Sequence, residues 1–382
     1  MKILFITDQM ISGNLGGSIG AKKILQCLDY YKKNNLAEFE IISRDNYNSK
    51  YNFQIEKTKL KDIFSRMILK PNFLAIEIKK NFKKIKEYNP DVILLHNSRF
   101  GFIAKKIKKI LPKVKIISFF ENIEFDYCKF AVSKLAYPIE SSIVKKEERK
   151  SIKYADSFVF LSINDFNRAK ELYGNESKLD NNLIFPVTLN KPDNQLTLVS
   201  EKPTIIMLGT LSYKPNEESV YYFINNILSK LDASKFNFIV AGRHPSNDLI
   251  QACEKNQIKI YNGFDKLSDI CPQNSCLLAP LQSGAGMKTK IAEGLSYGLY
   301  IIGSQECFVG YEAVENNDYI KKAINIEQYV LYINEFYNTY ITNKEIISQT
   351  NKNIFNDNYL TTNYYSKFYE LMKGKVKSND NN

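Results

Sequence analysis

"CLLAPLQSGAGMKTKIAEGLSYGLYIIGS", Cys276 to Ser304, holds a whole strand–loop–helix–strand unit. "CLLAP" is a short apolar run of strand length. "QSGAGM" is small and polar, with Gly284 and Gly286 in it. "KTKIAEGLSYG" reads as an amphipathic helix closed by Gly298 at its C-cap. "LYIIGS" is again a strand. Continuous apolar strands of this length belong to a sheet buried on both faces, hence to parallel strands with helices on each side.

The same alternation runs along the chain. Upstream strands read "KILFIT", "FEIIS", "DVILLH", "KIISFF" and "SFVFLS". The pattern restarts near Pro203 with "TIIMLG", "FNFIVAG", "IKIYNG", "CLLAP" and "LYIIGS". Two doubly wound α/β domains follow, residues 1–186 and 203–360, with a cleft between them. The polar stretch 187–202 reads as a linker. "TTNYYSKFYELMKG" reads as a helix, about 361–374, that packs back on the first domain. Residues 375–382 read as a disordered tail.

At 382 residues the chain is too long for one ordinary core, and 44% hydrophobic content supplies two. No run approaches the ~18 apolar residues of a membrane span. "MKILFITDQ" turns polar at Asp8, unlike a secretory signal, so the cytoplasm is the expected compartment. The six cysteines form no CxxC pair, and His96 and His244 are the only histidines. A Cys/His zinc site is therefore not expected, and the thiols read as reduced and buried.

In parallel sheets ligands lie beyond the carboxyl ends of the strands, so the loops there carry the candidates. After the first strand come Gly13, Gly16, Gly17 and Gly20, ahead of the helix "AKKILQCLDYY". They either let backbone N–H groups approach an anion or form a flexible loop, and the spacing is not GxGxxG. His96 ends a strand, as a site histidine or a satisfied core one. Glu121, Glu124 and Asp126 follow another, as general bases and hydroxyl acceptors or as a solvated turn. In the second half Lys214 sits ahead of a helix that Asn216 can cap. Gly242 and Arg243 end one strand, Gly263 and Phe264 another, and Phe264 is either a base clasp or core.

The stretch 283–294 is not a Walker loop, because Met287 precedes Lys288. Lys290 and Glu293, three apart, share a helix face. Such a face either grips a nucleoside diphosphate, cation on phosphate and carboxylate on ribose, or is an ordinary surface pair.

Taken in order and spacing, "LGTLSYKPNEESV", "FIVAGRHP", "IYNGF" and Cys276–Ser304 resemble the GT-B glycosyltransferases of the group 1, retaining type. The first half resembles them through "GGS" (Gly16–Ser18) and "ENIEFDY". The resemblance implies a nucleotide-sugar donor, UDP- or GDP-linked, on the second domain and the acceptor on the first. It implies that Lys290 meets the diphosphate and Glu293 the ribose. Lys214 would neutralise the leaving group, and Gly16 and Gly17 would let the backbone near it. Gly209, Thr210, Arg243, Phe264, Gly284, Gly286, Met287, Lys288 and Thr289 complete the donor-site candidates. His96, Glu121 and Glu124 are the catalytic candidates. No metal or cofactor is expected beyond the donor. Two departures bear on the sugar: Ala285 stands where many members carry a first glutamate, and Thr210 follows Gly209 where many carry arginine.

The formal charge of +12 is uneven. Residues 1–190 hold 34 Lys+Arg against 21 Asp+Glu; residues 191–382 hold 19 against 20. "KTKLKDIFSRMILK", "IEIKKNFKKIKEY" and "IAKKIKKILPKVK" carry the excess at helical spacing. They are either solvated helix faces or a surface for an anionic membrane. No nucleic-acid-binding motif is present. The expectation is a glycosyltransferase at the inner face of the plasma membrane, acting on a glycan or lipid-linked acceptor in bacterial surface-polysaccharide synthesis. A nucleotide-sugar 2-epimerase of the same fold and a non-catalytic partner subunit are the alternatives.

Overall fold

The computed structural model describes residues 1–9, 11, 16–43, 73–174, 177–284, 286–315 and 317–374. The chain divides into two units, Met1–Pro186 with Thr361–Asn382, and Val187–Leu360.

The first unit is built on six parallel strands, β1 (Lys2–Thr7), β2 (Glu38–Ile42), β3 (Val92–His96), β4 (Lys115–Phe120), β5 (Ser157–Phe160) and β6 (Asn182–Ile184). They lie in the order β2-β1-β3-β4-β5-β6. Thr7 pairs with His96 at the end of the β1–β3 register, where the strand order reverses. Crossovers are α1 (Gly16–Lys33), α2 (Phe73–Lys80), α3 (Phe82–Tyr88), α4 (Gly101–Ile110), α5 (Glu124–Ala131), α6 (Tyr137–Tyr154) and α7 (Ile163–Tyr173). Two apolar clusters flank the sheet. One gathers Leu4, Leu95, Ile103 and Phe158; the other gathers Phe5, Ile24, Phe119 and Phe185. α1 opens at Gly16, so Gly16, Gly17 and Gly20 lie within its first turns rather than in a loop ahead of it.

The second unit repeats the plan with β7 (Thr204–Leu208), β8 (Asn237–Gly242), β9 (Lys259–Asn262), β10 (Ser275–Ala279), β11 (Tyr300–Ser304) and β12 (Ile320–Ala323). The order β12-β11-β10-β7-β8-β9 is the Rossmann order, with its switch point between β7 and β10. Its helices are α8 (Lys214–Tyr222), α9 (Asn247–Lys255), α10 (Thr289–Tyr297) and α11 (Ile326–Ile354). α10 ends as its sequence requires, with Gly298 left-handed at φ 71°.

Residues 187–202 are tied to this second unit. Gln273 donates from its backbone to Leu198 O and from its side chain to Leu196 O. The Asn274 amide reaches the carbonyls of Ser200 and Lys202. The last helix, α12 (Tyr365–Lys373), buries Phe368, Leu371 and Met372 in the first unit's core, with Phe368 against Phe119 and Phe185. "KTKLKDIFSRMILK" and residues 375–382 fall outside the described residues. "IEIKKNFKKIKEY" is two helices, α2 and α3, parted at Asn81. All six cysteines are buried and free.

Candidate active site

In the second unit three neighbouring strands each run out onto a glycine. Gly209 N donates to Ala241 O, Leu211 N to Arg243 O and Gly263 N to Gly242 O, so the ladder continues past the strand ends. Gly242 has to be glycine: a Cβ there would stand 1.6 Å from Gly209 O. Gly209 has φ 150°, and a Cβ on it would meet the Asn216 amide at 2.6 Å.

Asn216 uses that space. Its Nδ2 donates to Thr210 O at 2.9 Å, and its Oδ1 accepts from Lys290 Nζ at 2.9 Å. It is not a cap, because α8 already begins at Lys214 behind Tyr213. Asn216 lies one turn inside, where its side chain points at the β7 loop and at α10. Lys290 thereby joins the loop after β7 to the helix after β10 across the switch point. Burial lowers its ammonium from 10.5 to about 8, and Lys288 adds to the fall. An ammonium has three N–H donors, so the bond to Asn216 leaves two.

α10 opens with no side-chain cap; of its first-turn N–H groups, Ile291 N donates to Lys288 O and Ala292 N to the Tyr311 hydroxyl. Gly284 (φ 134°) and Gly286 (φ 67°) shape that loop, and Lys288 Nζ folds back on Gly286 O at 2.6 Å. Tyr311 fixes the helix start from below, donating to Lys288 O and accepting from Ala292 N. Met287 is buried and its sulfur accepts from Val187 N. Thr289 is the first helical residue. Glu293 lies one turn past Lys290. Burial raises its carboxyl from 4.5 to about 7, against the pull of Lys290. This is not an exposed surface pair.

The remaining second-unit candidates stand apart from this group. Lys214 is exposed and pairs with Glu218 at 3.4 Å, as i,i+4 neighbours do. Arg243 is exposed at the end of β8, its stem beside Gly263, and Phe264 is half-buried. Ala285 lies outside the described residues.

In the first unit His96 is closed in. Its Nδ1 meets Thr7 Oγ1 at 3.0 Å and its Nε2 meets Glu121 Oε1 at 2.9 Å. Gln9 N donates to Thr7 Oγ1, and the Glu121 carboxylate, an acceptor, takes Nε2–H. Both ring nitrogens are spent, and His96 positions Glu121 rather than reaching a substrate. Gly20 makes room for that carboxylate, since a Cβ there would stand 1.9 Å from Oε1. Gly17 likewise backs onto the Gln9 side chain at 2.6 Å. Glu124 sits 3.7 Å from Arg99, which also binds Glu140. Burial raises Glu124 from 4.5 to about 7; Arg99 opposes this, and Glu148, Asp8 and Glu121 add to it. Asp126 is spent on Arg168.

Sequence reasoning missed Asn216, read as a cap, and Glu148. Glu148 is fully buried and accepts from Ser98, Tyr173 and the N–H groups of Glu124 and Phe125 that open α5. Among the described residues no group of three His, Cys, Asp or Glu is placed to hold a metal. No described helix is long and apolar enough to cross a membrane.

Two Rossmann-like units, each a six-stranded parallel sheet with helices, make up the GT-B fold. Residues 202–338, which lie within the second unit, match the family model of glycosyl transferases group 1. Solved structures of similar fold include a glycosyltransferase from Rickettsia africae, at 17% identity and TM-score 0.69 over 99% of both chains. HepE from Anabaena, in complex with UDP-glucose, aligns at 11% identity and TM-score 0.65 over 98% of this chain and 100% of its own. Sucrose-phosphate synthase from Thermosynechococcus elongatus aligns at 8% identity and TM-score 0.74 over 98% of each. No protein of curated function matches the chain in sequence.

Proposed function

We propose that the second unit grips a UDP- or GDP-linked sugar through Lys290, Lys288 and the N-terminus of α10, with Glu293 on the ribose hydroxyls. The acceptor hydroxyl attacks the anomeric carbon as the bond from that carbon to the diphosphate oxygen breaks. Lys290 and the helix N–H groups stabilise the charge on the departing diphosphate. Glu124, raised to about 7, takes the hydroxyl proton near neutral pH, and Glu121, held by His96, orients the acceptor. The single observation that carries the donor assignment is the Lys290–Asn216–Thr210 bridge across the switch point. HepE, of the same fold, holds UDP-glucose, which supports a nucleotide sugar here.

The acceptor side faces a membrane in this reading. Exposed lysines crowd α2, α3, α4 and α6, including Lys80, Lys83, Lys86, Lys105, Lys109 and Lys146. Such a layer suits anionic lipid headgroups and hence a lipid-linked glycan acceptor in bacterial surface-polysaccharide synthesis. The protein is then peripheral on the cytoplasmic leaflet. A thermal-shift panel of nucleotide sugars tests the donor assignment. UDP- or GDP-sugars are expected to raise the wild-type melting temperature and to leave Lys290→Ala unmoved. A wild type unmoved by every nucleoside diphosphate would sink the reading.

A further inference from the structure

The turn after α5 together with the first residues of α6, "VSKLAYPI" (Val132–Ile139), holds the most exposed large apolar side chain described. Leu135 is 93% exposed and Ile139 53%. Lys134, Ala136 and Pro138 are exposed with them. Such aliphatic exposure has no internal reason among the described residues, none of which covers it.

The charge around this knuckle is sorted by side. From Lys129 to Lys153 the chain carries seven Lys+Arg and three Glu. All three glutamates are buried: Glu140 on Arg99, Glu147 on Lys150 and the backbone of Phe102, Glu148 on Ser98 and Tyr173. Lys129, Lys134, Lys146, Arg149 and Lys153 are exposed. The outward side is therefore an aliphatic tip at the start of α6, with exposed cations further along that helix and its acids turned in.

We propose that Leu135 and Ile139 insert into the acyl boundary of an anionic lipid leaflet while Lys129, Lys134 and the exposed cations along α6 meet its headgroups. This rests on the membrane reading above and names the element that does it. Two aliphatic side chains are too little for a stable protein interface, which needs roughly 800 Å² per partner. They suit interfacial lipid, where a small apolar area adds to electrostatic attraction. The loop also leads straight to the polar centre. Ile139 is followed by Glu140, which holds Arg99, and Arg99 faces Glu124. Insertion thus sets the acceptor-side carboxylates beside the surface from which a lipid-linked hydroxyl arrives.

The chain contains no tryptophan, so Leu135→Trp in the full-length protein is a single reporter. Vesicles of equimolar phosphatidylglycerol and phosphatidylcholine are expected to blue-shift its emission, and vesicles of phosphatidylcholine alone to leave it unchanged. Val199→Trp, on the second unit and 85% exposed, serves as the control and is expected not to shift. Leu135→Ser with Ile139→Ser is expected to weaken sedimentation with the anionic vesicles at least about tenfold. The nucleotide-dependent thermal shift should be unchanged in that variant. Undiminished sedimentation of the double serine variant, with no blue shift at position 135, would overturn the insertion while leaving the membrane reading intact. A wild type that ignores both vesicle types would overturn both. A blue shift that grows with protein concentration in the absence of lipid would assign the knuckle to a second copy of the chain instead.

Discussion

Lys290 shows how one buried cation sets a pH dependence. Its folded-state pKa of about 8 lies below the ordinary 10.5. Between those values the unfolded chain binds more protons than the folded one, so through Lys290 stability rises with pH across that window. Glu293 runs the other way. Its folded-state value of about 7 lies above 4.5, so the folded chain binds more protons between them, and stability falls as pH rises. A diphosphate beside Lys290 restores the preference for the charged form. Nucleotide binding near pH 8 should therefore take up protons, and affinity should fall about tenfold from pH 7 to pH 9. Titration calorimetry of UDP in buffers of different ionisation enthalpy reads both effects, and Lys290→Met should remove both. Affinity that stays flat across that range would exclude Lys290 as the phosphate cation.

Elements fix where such residues stand, and they were unevenly legible. Ten strands could be read directly, most of them as short runs of buried apolar residues, because a doubly buried strand admits little else. β6 and β12 could not. β6 is only Asn182–Ile184, and β12 carries two half-exposed lysines, Lys321 and Lys322, at an edge. Glycines were legible as loop markers but not as contacts. Nothing in "FIVAGRHP" says that Gly242 lies under Gly209 O, which is a tertiary fact. Asn216 failed for a related reason. An Asn near a helix start fits a cap locally, and only the neighbouring strand and helix reveal its other partners. Gly242→Ala makes the point measurable. A methyl 1.6 Å from a backbone oxygen forces β7 and β8 apart. The variant should lose about 2–4 kcal/mol of unfolding free energy in denaturant, with nucleotide affinity falling alongside. A loss within about 0.5 kcal/mol would mean that the strand ends are far softer than their hydrogen bonds imply.

At the scale of the whole molecule the proposed reading divides the chemistry between the two units, and the division can be tested. The proposed donor group lies wholly in Val187–Leu360: Lys290, Asn216, Thr210 and the start of α10. The carboxylates held by His96 and Arg99 lie wholly in Met1–Pro186. The charge excess follows the first group of residues and not the second, as expected if one half meets an anionic surface and the other a soluble nucleotide. Two variants should then fail differently. Glu124→Gln keeps the size of the side chain and removes the proton acceptor. It should lower the transfer rate about a hundredfold or more, within the range of general-base effects. It should still be stabilised by donor nucleotide at about 100 times Kd, by ~2.7 kcal/mol. Lys290→Ala should lose both the stabilisation and the rate. Donor-dependent melting and turnover, measured on the same preparations, distinguish the two cases. If Glu124→Gln lost nucleotide stabilisation as fully as Lys290→Ala, Glu124 would belong to the donor site and the division of labour would be wrong.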